Sequence, residues 1–180
     1  MNLANKITIS RIILIPIFVI CFYIFKLESL VPAIIFIIAA STDFLDGYIA
    51  RSRNMVTTFG KFLDPLVDKM LTQAAFILLS SFGYIEAWIV IIIVSREFII
   101  SGLRILAASK NITIAASYWG KLKTVSQFVA IIMLLFSKTI LSGLNPFIFE
   151  IAIYICLILT IISGIDYLVK NKNVLNLDNI

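Results

Sequence analysis

Histidine is absent from this chain. That removes every His-type zinc site and every Ser-His or Cys-His catalytic pair. Cysteine is scarce as well: Cys21 and Cys156 are the two present, each inside an apolar run. They are too few and too far apart for a zinc motif or a disulfide framework, and they read as small buried hydrophobes. Charge is the third shortage. Asp, Glu, Lys and Arg make up 14% of the 180 residues, against roughly 25% in an average soluble protein. Hydrophobic residues take 61%, more than a soluble core of this size can hide. The combination places the chain among membrane proteins. No repeat, linker or low-complexity segment breaks the pattern, so residues 1–180 are expected to form a single membrane-embedded domain.

Six apolar stretches are present, at residues 7–25, 30–50, 59–82, 85–108, 119–136 and 147–169. Each is close to the roughly 20 residues that cross a bilayer as a helix. The fold expected is therefore an all-α integral membrane protein with six transmembrane helices and short connections. No small-residue cleavage pattern follows Phe25, so the first stretch is expected to be a retained helix and not a signal peptide. Residues 1–10 are expected to form a short interfacial segment, with Lys6 toward the headgroups.

The net charge of +5 does not point to nucleic acid, because the basic residues flank apolar spans. Lys6, Arg11, Arg51, Arg53, Lys61, Arg104, Lys110, Lys121, Lys123, Lys170 and Lys172 fall on or near one side of an alternating six-span topology. Lys26 and Lys138 fall on the other. The first side is expected to be cytoplasmic, with both termini there. Anionic membrane lipids are the expected partner of that charge.

Four aspartates stand out against this background: Asp43 and Asp46 in the second stretch, Asp64 and Asp68 in the third. Each would cost about 2.5–3.5 kcal/mol at the centre of a spanning helix. Asp43 and Asp46 are spaced i,i+3 and Asp64 and Asp68 i,i+4, so each pair shares a helix face. A turn centred near Met55 puts Asp46 and Asp64 nine residues away on either side, and Asp43 and Asp68 twelve and thirteen. An antiparallel hairpin then brings all four to similar depth. Carboxylates that close repel unless a cation sits among them. Oxygen-only ligands favour a hard cation, Mg²⁺ or Mn²⁺. Gly47 and Gly60, one turn from Asp43 and Asp64, leave room for a ligand to approach.

The run Asp43-x2-Asp46-Gly47-x2-Ala50-Arg51-x8-Gly60-x3-Asp64-x3-Asp68 resembles the full signature of the CDP-alcohol phosphotransferase family. All eight fixed positions are present at the family's spacing. Asn5, Thr8 and Arg11 resemble its N-terminal pattern. Ser95-Arg96-Glu97-Phe98 with Ser101-Gly102-Leu103-Arg104, and Gly120-Lys121-Leu122-Lys123-Thr124 with Gln127, are similar to the branch whose acceptor is sn-glycerol 3-phosphate. The resemblance implies a six-helix homodimer in a bacterial cell membrane, with two divalent metals near the cytoplasmic interface. It implies Asp43, Asp46 and Asp64 as metal ligands, and Asp68 as a metal neighbour and general base. Gly47, Ala50, Arg51 and Gly60, with Asn5 and Thr8, would lie along the CDP-lipid.

The activity implied is transfer of the phosphatidyl group of CDP-diacylglycerol to sn-glycerol 3-phosphate, giving phosphatidylglycerophosphate and CMP in phospholipid biosynthesis. Glycerol phosphate is a dianion, so its pocket needs fixed cations. Arg96, Arg104, Lys121 and Lys123 are the candidates, with Arg forks suited to phosphate oxygens. Arg96 and Glu97, as neighbours in sequence, are expected to point to different faces and not to pair. The rivals are a family member with serine, inositol phosphate or a second phospholipid as acceptor, an aspartate-rich prenyltransferase, and a cation-coupled transporter. Trp88 and Trp119 read as interfacial anchors, and Asp166 with Lys170 as a solvated i,i+4 pair.

Overall fold

Long apolar runs that must satisfy their own backbone hydrogen bonds become helices. The computed structural model describes residues 3–52, 58–109, 114–115 and 117–172, with side chains described for all of these except 3–11, 42–52, 58–68 and 109. Among them are six α-helices: α1 (Leu3–Phe25), α2 (Val31–Ser52), α3 (Thr58–Ser81), α4 (Ala87–Ser109), α5 (Tyr118–Leu135) and α6 (Pro146–Lys170). A single 3-10 turn, Lys26–Glu28, is the other regular element, and the described residues include no strand. The five later helices match the apolar stretches to within two residues at each end. Helix α1 starts earlier, at Leu3, so most of the segment expected at the interface forms its first turns.

The chain groups into two compact units, residues 1–84 with 131–145 and residues 85–130 with 146–180. In the first unit α1 packs along both α2 and α3. Phe18 and Phe22 of α1 and Phe36 of α2 are fully buried. Phe18 meets Phe36 at a centroid distance of 5.7 Å, and Phe22 meets Phe82 edge-on at 5.3 Å. Lys26 takes a left-handed conformation, φ +50°, which reverses the chain between α1 and α2. Leu27 is buried beneath that reversal, and the Ser29 hydroxyl accepts from the Val31 N–H at 3.3 Å. Helix α3 ends on Gly83 at φ +80°. The Tyr84 N–H donates to the Leu79 carbonyl and the Gly83 N–H to that of Ser80, each at 2.9 Å, a paired closure that satisfies two terminal carbonyls.

In the second unit α4 packs against α6. The inward stripe of α4 runs Ile89, Ile93, Glu97, Ile100, Leu103 and Ala107, at the spacing of one helix face. Ile100 and Leu103 cluster with Tyr167 of α6, and Ile114 packs onto them. Helix α5 is capped by the Ser117 hydroxyl, which accepts from the Gly120 N–H at 3.0 Å. Pro146 opens α6 at the position where its missing N–H is harmless. By length and composition α6 is the one helix among the described residues apolar enough to cross a membrane. Its buried face carries Thr160, Ser163 and Gly164, while Ile151, Tyr154, Ile158, Ile162 and Ile165 are exposed. The same buried face also carries Phe149, Ile153, Leu157 and Tyr167, so α6 is apolar on both sides, as a helix in a lipid solvent can be.

Gly83 has nothing within 4 Å of the position a Cβ would take, so only its backbone conformation resists substitution. Gly83→Ala is expected to destabilise the protein by about 1 kcal/mol through the left-handed penalty. Thermal unfolding in detergent measures this.

Candidate anion-binding and metal-binding residues

The aspartates expected to bind metal lie on two consecutive helices, Asp43 and Asp46 on α2 and Asp64 and Asp68 on α3. Their side chains lie outside the described residues. So do those of Asn5 and Thr8 on α1, of Ala50 and Arg51 on α2, the details around Gly47 and Gly60, and the turn at Met55. The helical backbone makes each acidic pair's spacing equal to about one turn. A donor set of carboxylates alone fits a hard divalent cation. Among the described residues, no group of three or more acidic or cysteine side chains gathers elsewhere to hold a metal. Cys21 and Cys156 are free thiols, and Cys156 is buried.

The described chemistry centres on Glu97. It sits in the inward stripe of α4 and is 5% exposed. Its Oε1 accepts from Arg96 Nη1 at 3.1 Å and from the Lys123 ammonium of α5. The pairing of Arg96 with Glu97 corrects the expectation from sequence. Adjacent Cα–Cβ bonds leave a helix about 100° apart, but the Arg stem is long enough to curl back. A buried carboxylate in surroundings of low dielectric constant attracts it strongly. The space for the stem comes from α6, where a Cβ on Gly164 would lie 3.2 Å from Arg96 Cγ.

Arg96 and Lys123 thus meet on one carboxylate oxygen. Lys123 is 4% exposed, and Gln127, one turn later on α5, is equally buried. Arg104 is exposed; its Nε donates to the Tyr167 hydroxyl at 3.0 Å. Lys121, two positions before Lys123 and so on another face of α5, is exposed. The fold thus brings Arg96 and Lys123 onto one acceptor, rests Arg104 on Tyr167, and leaves Lys121 at the surface.

Most buried polar groups around this cluster are satisfied locally. Thr160 Oγ1 donates to the Cys156 carbonyl at 2.7 Å, Ser163 Oγ to that of Thr160 at 3.0 Å, and Ser101 Oγ to that of Glu97 at 2.7 Å. Against that order, Arg96 Nε and Gln127 Nε2 are buried donors without a partner. Buried donors left unpartnered, one of them on a guanidinium, are a setting that an anion would complete. Asp166 Oδ2 is also unpartnered, while Oδ1 accepts from Lys170 at 2.6 Å, the i,i+4 pair expected from sequence. The Lys170 end is solvated and the Asp166 end mostly covered.

Glu97, Gly164 and Tyr167 were not among the residues assigned to the site from sequence. Gly164 and Tyr167 lie on α6, 63 residues beyond Arg104 in the case of Tyr167. The sign available was Thr160, Ser163 and Gly164, small or polar residues that interrupt the apolar run of α6.

Acidic positions on α2 and α3, and a buried cationic cluster on α4 and α5, suit an integral membrane protein that handles phosphate esters. The chain belongs to the CDP-alcohol phosphatidyltransferase family, whose model matches residues 1–162. It is similar to a Bacillus subtilis (strain 168) protein named CDP-diacylglycerol–glycerol-3-phosphate 3-phosphatidyltransferase, with 43% identity covering 99% of each chain. A protein of the same name from Haemophilus influenzae is 44% identical, over 99% of this chain and 97% of its own. Another, from Rickettsia typhi, is 41% identical over 92% of this chain and 94% of its own.

Removing Lys123 and removing the Tyr167 hydroxyl should differ in cost. Lys123→Ala takes one partner from a buried ion cluster and is expected to destabilise by about 3 kcal/mol. Tyr167→Phe deletes a single bond to an exposed Arg104 and should cost about 1 kcal/mol or less. Denaturant unfolding of both variants in the same detergent compares them.

Proposed function

We propose that this protein transfers the phosphatidyl group of CDP-diacylglycerol to sn-glycerol 3-phosphate, producing phosphatidylglycerophosphate and CMP. The observation that carries the reading is the intact family signature, with its aspartates on the consecutive helices α2 and α3. The names of relatives matched along nearly their whole length support the acceptor. The unpartnered Nε of the buried Arg96 guanidinium supports a phosphate-bearing acceptor over serine.

In this reading the whole chain acts as one membrane-embedded catalytic domain with six spans, as a homodimer. The site and both termini face the cytoplasm of a bacterial cell membrane. The exposed Trp88 and Trp119, each at the start of a helix, support interfacial anchoring. The acyl chains of the CDP-lipid stay in the bilayer, which explains acidic groups at membrane depth. Asp43, Asp46 and Asp64, with Asp68 beside them, hold the divalent ions. Two such ions, Mg²⁺ or Mn²⁺, would neutralise pyrophosphate charge and stabilise the attacking and leaving oxygens when bound.

The chain's own groups do the rest. Gly47, Ala50, Arg51 and Gly60, with Asn5 and Thr8, orient the CDP moiety. Arg96, Arg104, Lys121 and Lys123 draw in the phosphate of the acceptor. Asp68 takes the proton from the acceptor hydroxyl as its oxygen bonds to the phosphorus bearing diacylglycerol. The bond from that phosphorus to the CMP oxygen breaks, and CMP leaves. No covalent intermediate on the protein is required, so kinetics should be sequential.

Purified protein given CDP-diacylglycerol, Mg²⁺ and radiolabelled glycerol 3-phosphate should move label into lipid. EDTA should abolish the transfer, and Asp68→Asn should lower kcat by a factor of about 10²–10⁴. Transfer only to serine or inositol phosphate would overturn the acceptor and keep the family. A burst of CMP without acceptor would overturn the sequential scheme.

A further inference from the structure

We propose that Glu97 and Gly164 are positioning residues that turn the Nε–Nη2 edge of Arg96 toward the acceptor phosphate. The proposal rests on the reading of Arg96 as a ligand of that phosphate. A guanidinium has a side edge, Nε with Nη2, that gives two parallel N–H bonds matched to two oxygens of one phosphate. Glu97 Oε1 takes Nη1, on the far side of the group from that edge. Nε is buried with no partner, and the bond to Glu97 is the one the guanidinium makes among the described residues. The edge best shaped for a phosphate is therefore the edge left over.

Three elements hold it so. Glu97 is 5% exposed on α4, and its Oε1 is fixed from α5 by the Lys123 ammonium. Gly164 of α6 lets the Arg96 stem lie against the helix, since a Cβ there would stand 3.2 Å from Cγ and 3.9 Å from Nε. Side chain and backbone together fix where the stem runs and which way the plane faces. Gln127 Nε2, another unpartnered buried donor among the described residues of this unit, lies one turn beyond Lys123 on α5.

The charge on Glu97 separates this proposal from simple attraction. Neutralising Glu97 removes one negative charge from beside Arg96 and Lys123. If the cluster attracts the acceptor by charge alone, Glu97→Gln should tighten binding of a dianion. If Glu97 orients the fork, the same change should weaken it.

The test uses the full-length protein with glycerol 3-phosphate and CDP-diacylglycerol varied in turn. Arg96→Lys keeps the charge and loses the fork; it should raise KM for glycerol 3-phosphate about tenfold or more, with KM for the CDP-lipid within about twofold. Glu97→Gln should raise the same KM about tenfold and Gly164→Ala about threefold, with smaller changes in kcat. A KM for glycerol 3-phosphate that is unchanged or lower in both Glu97→Gln and Gly164→Ala, alongside a raised one in Arg96→Lys, overturns the positioning and leaves Arg96 as ligand. An unchanged KM in Arg96→Lys removes the underlying reading, and the proposal with it. Should Glu97→Gln fail to assemble, Gly164→Ala decides: a raised acceptor KM at constant CDP-lipid KM supports the proposal, and parallel rises in both overturn it.

Discussion

Charge placed in apolar surroundings must be matched, and the second unit of this protein is organised by that requirement. Leaving an ionised group uncompensated there costs several kcal/mol. Glu97 occupies a place in the inward stripe of α4 that Ile93 and Ile100 otherwise make apolar. It is stable there because Arg96 and Lys123 both reach it. The ion cluster ties α4 to α5, and the stem of Arg96 ties α4 to the small residues of α6. The buried hydroxyls nearby are absorbed by carbonyls of their own helices.

Such a cluster is weak evidence for stability, because desolvation takes back much of what attraction gives. Its unpartnered donors are more informative. Arg96 Nε and Gln127 Nε2, buried and without a hydrogen-bond partner, leave capacity for an anion. The same unit exposes large aliphatic residues on the far side of α6, which a lipid solvent accepts and water does not. A protein whose substrates combine acyl chains with phosphates needs both properties.

The family rests on a different part of the chain. The signature occupies α2 and α3, where helical backbone turns a sequence spacing of three or four into about one turn of rise. Acidic groups recurring at that spacing in otherwise apolar helices carry a functional meaning from sequence alone, because lipid does not tolerate them otherwise. The basic residues of α4 and α5 carry less, since Lys and Arg near span ends also serve topology. Lys121 and Lys123 show the difference. Two residues apart, one is exposed and the other is 4% exposed and bonded to Glu97.

Sequence by itself determined the helices, because apolar runs near 20 residues leave the backbone little alternative. Five of the six expected stretches coincide with helices to within two residues, and α1 extends further toward its start. It also determined the family, through eight spaced positions across α2 and α3. Tertiary structure decided which cation meets which carboxylate. Backbone direction alone set Arg96 apart from Glu97, and a long side chain in surroundings of low dielectric constant reversed that. Gly164 and Tyr167 became visible only when α6 was brought against α4, since no local pattern links positions so distant in sequence. Local rules fix the backbone of a membrane helix; its polar partners are chosen by whatever packing places within reach.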